Sequence, residues 1–323
     1  MSDSGPTPRE PALGSEEALT SGTRPRTATG SAAAPHPIVY NHYGPHRNGL
    51  PPLRKYVREL WQRREFAIEL SRSNMRASSS DTFFGQLWLV LNPLFMAGVY
   101  FLLVAIISGR TTANPMYFAH LTTSLFIFTF VTTCANAGAT SVTTAGKMIL
   151  NTAFPRLLIP LGAVHTAFFR FLPTLGVSVV IFLLTPLFGA EARIGWGPQQ
   201  LLAAYFLVMM VFFGAGLAAL FSTLQVYFRD TNNFLPYFVR IWTYLSPILW
   251  TADMLREKAD WVLVVAQLNP AYQLLGGYSQ LLIQGTIPEA TTWLIASAWG
   301  LGTFLIGALV FMSREREFAV RIF

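Results

Sequence analysis

Residues 227–250 read YFRDTNNFLPYFVRIWTYLSPILW, an apolar run that begins directly behind the charged pair Arg229-Asp230. From Asn233 to Trp250 the run is about 18 residues, and at ~1.5 Å per residue a helix of that length nearly covers the ~30 Å hydrocarbon core of a bilayer. The stretch predicts a membrane-spanning helix. At helical spacing Asn233, Tyr237, Arg240 and Tyr244 share one face, while Phe234, Phe238, Ile241, Leu245 and Ile248 share another. An arginine halfway along such a helix costs roughly a few kcal/mol against lipid, so Arg240 is expected to face other helices, water or a ligand. Two roles meet that expectation: a strut bonding backbone carbonyls between packed helices, or a cation lining a polar path.

Composition places this helix among others. Of 323 residues 52% are hydrophobic and 12% charged, with mean hydropathy +0.42, whereas about a quarter of the residues of an ordinary soluble domain are charged. The chain reads as a polytopic, all-α membrane protein. Its net charge of +7 and pI near 9.8 come from basic residues grouped before the first span and in short connectors, which fits membrane topology and not a nucleic-acid partner. Lysine occurs only at Lys55, Lys147 and Lys258, an arginine bias expected of a GC-rich bacterial coding sequence. Cys134 is the single cysteine, which excludes an intrachain disulfide and a cysteine-built zinc site. Scattered histidines and spans without paired carboxylates leave no metal site and no acid/base pair.

In chain order, residues 1–52 are rich in Pro, Gly, Ser, Thr and Ala and lack a signal-peptide core, so they are expected to form a disordered cytoplasmic tail. His36, His42 and His46 lie there in a Pro- and Gly-rich setting that favours solvation over metal binding. Residues 53–80 turn amphipathic: Leu53, Tyr56, Val57, Leu60, Trp61, Ala67, Ile68 and Met75 fall on one side, interrupted by Arg64 and Ser71. Arg54, Arg58, Glu65, Glu69, Arg72 and Arg76 fall on the other. Such a helix suits the headgroup plane, its arginines near lipid phosphates.

Six apolar segments follow within 81–312: 83–107, 117–138, 159–188, 201–224, 233–250 and 291–312, each long enough to span. Arg170 sits mid-membrane if the third span starts at Ile159, and near its start if residues 171–188 cross alone. A further apolar stretch, 261–283, is divided by Asn269-Pro270 into pieces too short to cross. With six spans and an internal N-terminus, basic residues concentrate inside, leaving Arg110, Arg193, Arg256 and Lys258 outside. A seventh span would put the tail 313–323 outside and break that asymmetry. Residues 251–287 are therefore expected to form a re-entrant helical hairpin on the outer face, with both termini cytoplasmic. Trp88, Trp196, Trp250, Trp261 and Trp293 fall near the predicted interfaces, where aromatic anchors are usual.

No phosphate-binding loop exists: Gly146-Lys147 is followed by Met148 and lacks the upstream glycine. The chain is not expected to hydrolyse ATP. Its internal loop 145–161, AGKMILNTAFPRLLIPL, presents Lys147, Phe154, Pro155, Arg156 and Pro160 in a short amphipathic segment suited to docking.

Five segments in this order resemble the permease subunit of type-2 ABC exporters, in the subfamily that moves polyprenyl-diphosphate-linked O-antigen, teichoic acid and cell-wall galactan. They are Gly85-Gln86-Leu87-Trp88 with Asn92-Pro93-Leu94; Phe154-Pro155-Arg156; Tyr227-Phe228-Arg229-Asp230; Ser246-Pro247-Ile248; and Leu268-Asn269-Pro270. The resemblance implies a homodimer in the bacterial plasma membrane, paired with two ATP-binding subunits that carry ATP and Mg, with no cofactor on this chain. It further implies ATPase coupling at Lys147, Phe154, Pro155 and Arg156, an outer gate at Asn269 and Pro270, and lipid-diphosphate recognition by Arg72 and Arg76. Ala77-Ser78-Ser79-Ser80-Asp81 departs from the family pattern, where a further basic or aromatic residue is common. Within that reading the polar face of 233–250 becomes a candidate substrate path. Galactan is the leading cargo for a high-GC bacterium, with teichoic acid, O-antigen or a small hydrophobic drug as alternatives. An integral-membrane glycosyltransferase would call for clustered acidic residues facing the cytoplasm. A secondary transporter would call for intramembrane carboxylates, and no predicted span holds one.

Overall fold

The computed structural model describes residues 50–78, 85–107, 115–188, 197–250 and 260–322, and among them every regular element is helical. The tail 1–49 with its three histidines, and residues 251–259 of the expected hairpin, lie outside the described residues. The single amphipathic helix expected over 53–80 is two: α1 (Leu53–Gln62) and α2 (Arg64–Ser78). They part at Arg63, whose backbone leaves the helical region and whose guanidinium donates to the Ala153 carbonyl. Their inward stripe also differs from the expected one. Tyr56 and Ala67 are buried, and so is Ser71, which accepts the Thr166 hydroxyl at 2.9 Å. Leu53, Val57 and Trp61 stay exposed as an outward apolar stripe, the surface a headgroup layer would cover.

The bundle is formed by α3 (Trp88–Ile107), α4 (Pro115–Thr144), α6 (Leu158–Leu184), α7 (Ala203–Tyr227) and α11 (Ala290–Arg314). Among the described residues four helical stretches are long and apolar enough to cross a membrane: Met116–Thr144, Leu158–Leu187, Pro198–Tyr227 and Ala290–Arg321. The apolar part of α3, Trp88–Val104, is shorter. Because α6 is one unbroken helix, Arg170 sits near its middle, half-buried.

α7 is the central helix, packed on both α4 and α11. It approaches each closely because glycines line the contacts. A β-carbon on Gly138 would fall within the backbone of Ala218, and one on Gly216 within the Thr303 carbonyl. One on Gly300 would lie 2.8 Å from the Met209 carbonyl oxygen. Lipid supplies no hydrophobic force between apolar helices, so such close backbone packing is what holds them together.

The opening stretch folds differently from its sequence reading. α8 (Thr231–Leu245) has 15 residues, about 22 Å of helix, and ends where Ser246 becomes extended ahead of Pro247. The face placed against the bundle is Thr231, Leu235 and Trp242, with Trp242 packed edge-on against Phe128 at 5.0 Å. Phe234, Ile241 and Leu245 are exposed, and Ile248 is buried beyond the helix end. The stretch 261–283 is broken where expected: α9 (Asp260–Leu268) and α10 (Pro270–Ser279) are separated by Asn269. α10 packs against α7, α11 and α4 and runs on through a π-helical turn to Gly285, whose φ of 65° suits glycine.

Candidate functional site

The buried apolar side chains form two clusters. One gathers Phe126, Phe130, Phe206, Met210 and Leu274 among others. The other joins Tyr56, Ile149, Leu157, Val226, Phe311 and Phe318, so α1, the 145–161 loop, the end of α7 and the chain's last helix, α12 (Phe318–Arg321), meet at one end.

At that end the loop residues turn inward on their own chain. Phe154 stacks on Phe66 of α2 at 4.7 Å, Pro155 is buried, and the Arg156 guanidinium donates to the Glu315 carbonyl. The Tyr56 hydroxyl donates to Glu315 Oε2 at 2.6 Å and accepts the Leu157 backbone amide at 3.3 Å. Burial, reinforced by the neighbouring Glu315 carboxyl, pushes the Tyr56 phenol above its ordinary range, and burial lowers Arg156. A carboxylate so enclosed is tolerable because each partner is hydrogen-bonded. Four segments are thereby tied together: α1, the loop, α11 and the tail. What the loop exposes is α5 (Gly146–Asn151), with Lys147 and Leu150 outward and Ile149 buried.

Beside this junction, Tyr227 ends α7. Its hydroxyl donates to Glu317, and the guanidinium carbons of Arg314 and Arg321 lie 5.8 and 4.2 Å from its ring centre. Both arginines also pair with Glu317, at 3.4 and 3.3 Å.

Asn233, Tyr237, Arg240 and Tyr244 are all exposed on α8. Sequence reasoning missed a fifth member: Tyr100 of α3 lies within interaction range of Tyr244 and Arg240. Only the fold brings Tyr100 near Tyr244, and no spacing in the sequence could have shown it. Arg240 is thus an exposed cation at an aromatic cluster between two helices.

Asn269 joins the end of α8 to the start of α10. Its side-chain oxygen accepts from Trp242 Nε1 at 2.9 Å and from the Ala271 amide at 3.0 Å. Its amide donates to the Leu245 carbonyl at 2.9 Å and to Ser246 Oγ at 3.2 Å. Asparagine is the N-cap of α10 and Pro270 its first residue, a pairing that satisfies one helix start and another helix end at once. At the same end Tyr117 donates to the Leu249 carbonyl and His120 bonds Ser279.

Arg72 and Arg76 are exposed on α2, and Arg72 pairs with Glu69 at 3.5 Å. Among the described residues no three His, Cys, Asp or Glu side chains converge as a metal site would require.

No family model matches the chain. Three curated relatives do, each named O-antigen export system permease protein RfbA. One from Klebsiella pneumoniae is 28% identical over 223 residues, 69% of this chain and 82% of the relative. A second from that organism is 26% identical over the same extent. One from Myxococcus xanthus is 23% identical over 270 residues, 83% of this chain and 99% of the relative. The resemblance to type-2 ABC exporter permeases drawn from the five short segments thus extends over most of the chain.

Proposed function

We propose that this chain is the membrane-spanning permease of an ABC exporter, carrying a polyprenyl-diphosphate-linked polysaccharide from the cytoplasm to the outer face, with ATP hydrolysed on two separate partner subunits. The observation that carries the reading is its similarity to three O-antigen export permeases across 82% to 99% of their lengths. Their names favour an O-antigen-type chain. Cell-wall galactan is the other cargo, resting on the arginine bias of the sequence.

In this reading α3 and α8 complete six crossings, and α9 with α10 forms the outer hairpin. The end gathering α1, the 145–161 loop and the tail faces the cytoplasm. α5 presents Lys147 and Leu150 to the ATPase, while Phe154, Pro155 and Arg156 brace it from behind and pass its displacement to α2 and the tail. Arg72 and Arg76 meet the lipid diphosphate at the inner leaflet. The homodimer encloses the path, and the α8 face with Tyr100 lines it. Tyrosine rings can stack on sugar faces and exchange hydrogen bonds, and the guanidinium fork of Arg240 suits phosphate oxygens. The Asn269 clamp and Pro270 form the outer gate, since freeing Asn269 would release the end of α8 and the start of α10 together.

The test is reconstitution. The purified chain alone is expected to show no ATPase activity, and co-expressed with its partner it should purify as a two-plus-two complex. Lipid-linked glycan should stimulate that complex, and the double variant Arg156→Ala, Phe154→Ala should lose export while still inserting. Full export by the double variant would remove the coupling role. Absence of any stable partner complex would remove the proposal itself.

A further inference from the structure

We infer that the groove between the inner ends of α7 and α11 binds an acidic phospholipid of the cytoplasmic leaflet, at a site separate from the cargo path. The groove has a volume of about 440 Å³, within the ordinary range for ligand sites. Leu217, Leu220 and Leu224 line it from α7 at i, i+3 and i+7, and Val310 lines it from α11. These walls suit acyl chain. Its polar end is built from the last residues of the same two helices, Tyr227 and Arg314, and Arg321 lies over the Tyr227 ring.

Charge decides the headgroup. Two guanidiniums share one carboxylate, Glu317, leaving one positive charge uncompensated within the cluster. Both arginines are about half exposed, so a phosphate can reach them without disturbing the fold. Each guanidinium presents a planar fork of donors that matches phosphate oxygens. An apolar groove topped by cations at a cytoplasmic helix end is the arrangement that selects acidic lipid headgroups. The depth order also fits, because the apolar walls extend from the cationic end towards the centre of both helices. Glu317 then has a defined role. It holds the arginines in place when the site is empty and competes with phosphate for them.

The experiment uses the full-length chain, delipidated and re-equilibrated with equimolar phosphatidylglycerol and phosphatidylcholine, with retained lipid counted by native mass spectrometry. The intact protein should retain phosphatidylglycerol preferentially. Arg314→Gln with Arg321→Gln should cut that preference by about fivefold for each arginine removed. Glu317→Gln should raise it, and because this is a gain it cannot be attributed to misfolding. Leu220→Trp, which narrows the groove, should lower retention of both lipids. Equal retention of both lipids by the intact protein would overturn the inference. So would a preference unmoved by both the arginine pair and Glu317→Gln. Efficient disulfide formation between chains carrying Leu224→Cys in a Cys134→Ala background would place a second copy in the groove and overturn it as well.

Discussion

Replacing Gly300 by alanine tests how the bundle is held together, because the neighbouring Gly302 supplies its own control. A β-carbon at 300 would lie 2.8 Å from the Met209 carbonyl oxygen and 3.3 Å from its Cα, both backbone atoms that no rotamer change can move. Ordinary contact is about 3.5 Å or more, so α7 and α11 would have to separate by roughly 0.7 Å. Overpacking of this kind costs about 1–3 kcal/mol. At Gly302 nothing lies within 4 Å of the added carbon. Both substitutions gain the same helix propensity, up to about 1 kcal/mol, so that contribution cancels in the comparison. Gly300→Ala should therefore be less stable than Gly302→Ala by about 1–3 kcal/mol, read from unfolding midpoints in mixed micelles with dodecyl sulfate. Equal midpoints would refute close backbone packing as what holds α7 to α11.

Tyr56→Phe removes the phenol from Glu315 and should cost about 1–3 kcal/mol in the same assay, because the buried carboxyl loses a donor; no loss would mean that water already solvates it. For Arg240, export per folded protein should fall partly in Arg240→Lys, which keeps the charge and loses the fork, and severely in Arg240→Leu. Tyr100→Phe and Tyr244→Phe should each reduce it, and unchanged export in all four would remove this face from the path. Val320→Cys should be labelled only from the cytoplasmic side by an impermeant thiol reagent, and Ile287→Cys only from outside, in a Cys134→Ala background. The reversed pattern, with Ile287→Cys labelled from the cytoplasm and Val320→Cys from outside, would make the stretch 261–283 a full crossing.

The helical membrane class was legible because it depends on long apolar runs and sparse charge, which are properties of the chain itself. The break at Asn269 was equally visible, since asparagine followed by proline makes a helix start, whereas Pro93, Pro173 and Pro236 sit within continuous helices. The face of α8 was not legible. Helical spacing groups Phe234 with Ile241 and Leu245, but in a membrane protein greasy residues are as content against lipid as against protein. Only packing reveals that Leu235 and Trp242 face inward. Phe154, Pro155 and Arg156 illustrate the same limit. Their residue types identify a special loop, while their inward orientation depends on Phe66 and Glu315, residues about 90 and 160 positions away. Ser71, which interrupts the predicted apolar stripe, proves to be its most buried point because Thr166 supplies the hydrogen bond.

The most direct test of the export reading is to deplete the chain in its own bacterium while glycan synthesis continues, and to measure how much lipid-linked polysaccharide is accessible from outside the plasma membrane. Depletion should leave the total unchanged or raised while the accessible fraction falls severalfold, and re-expression should restore it. An accessible fraction that stays constant as the chain disappears would contradict export of this cargo.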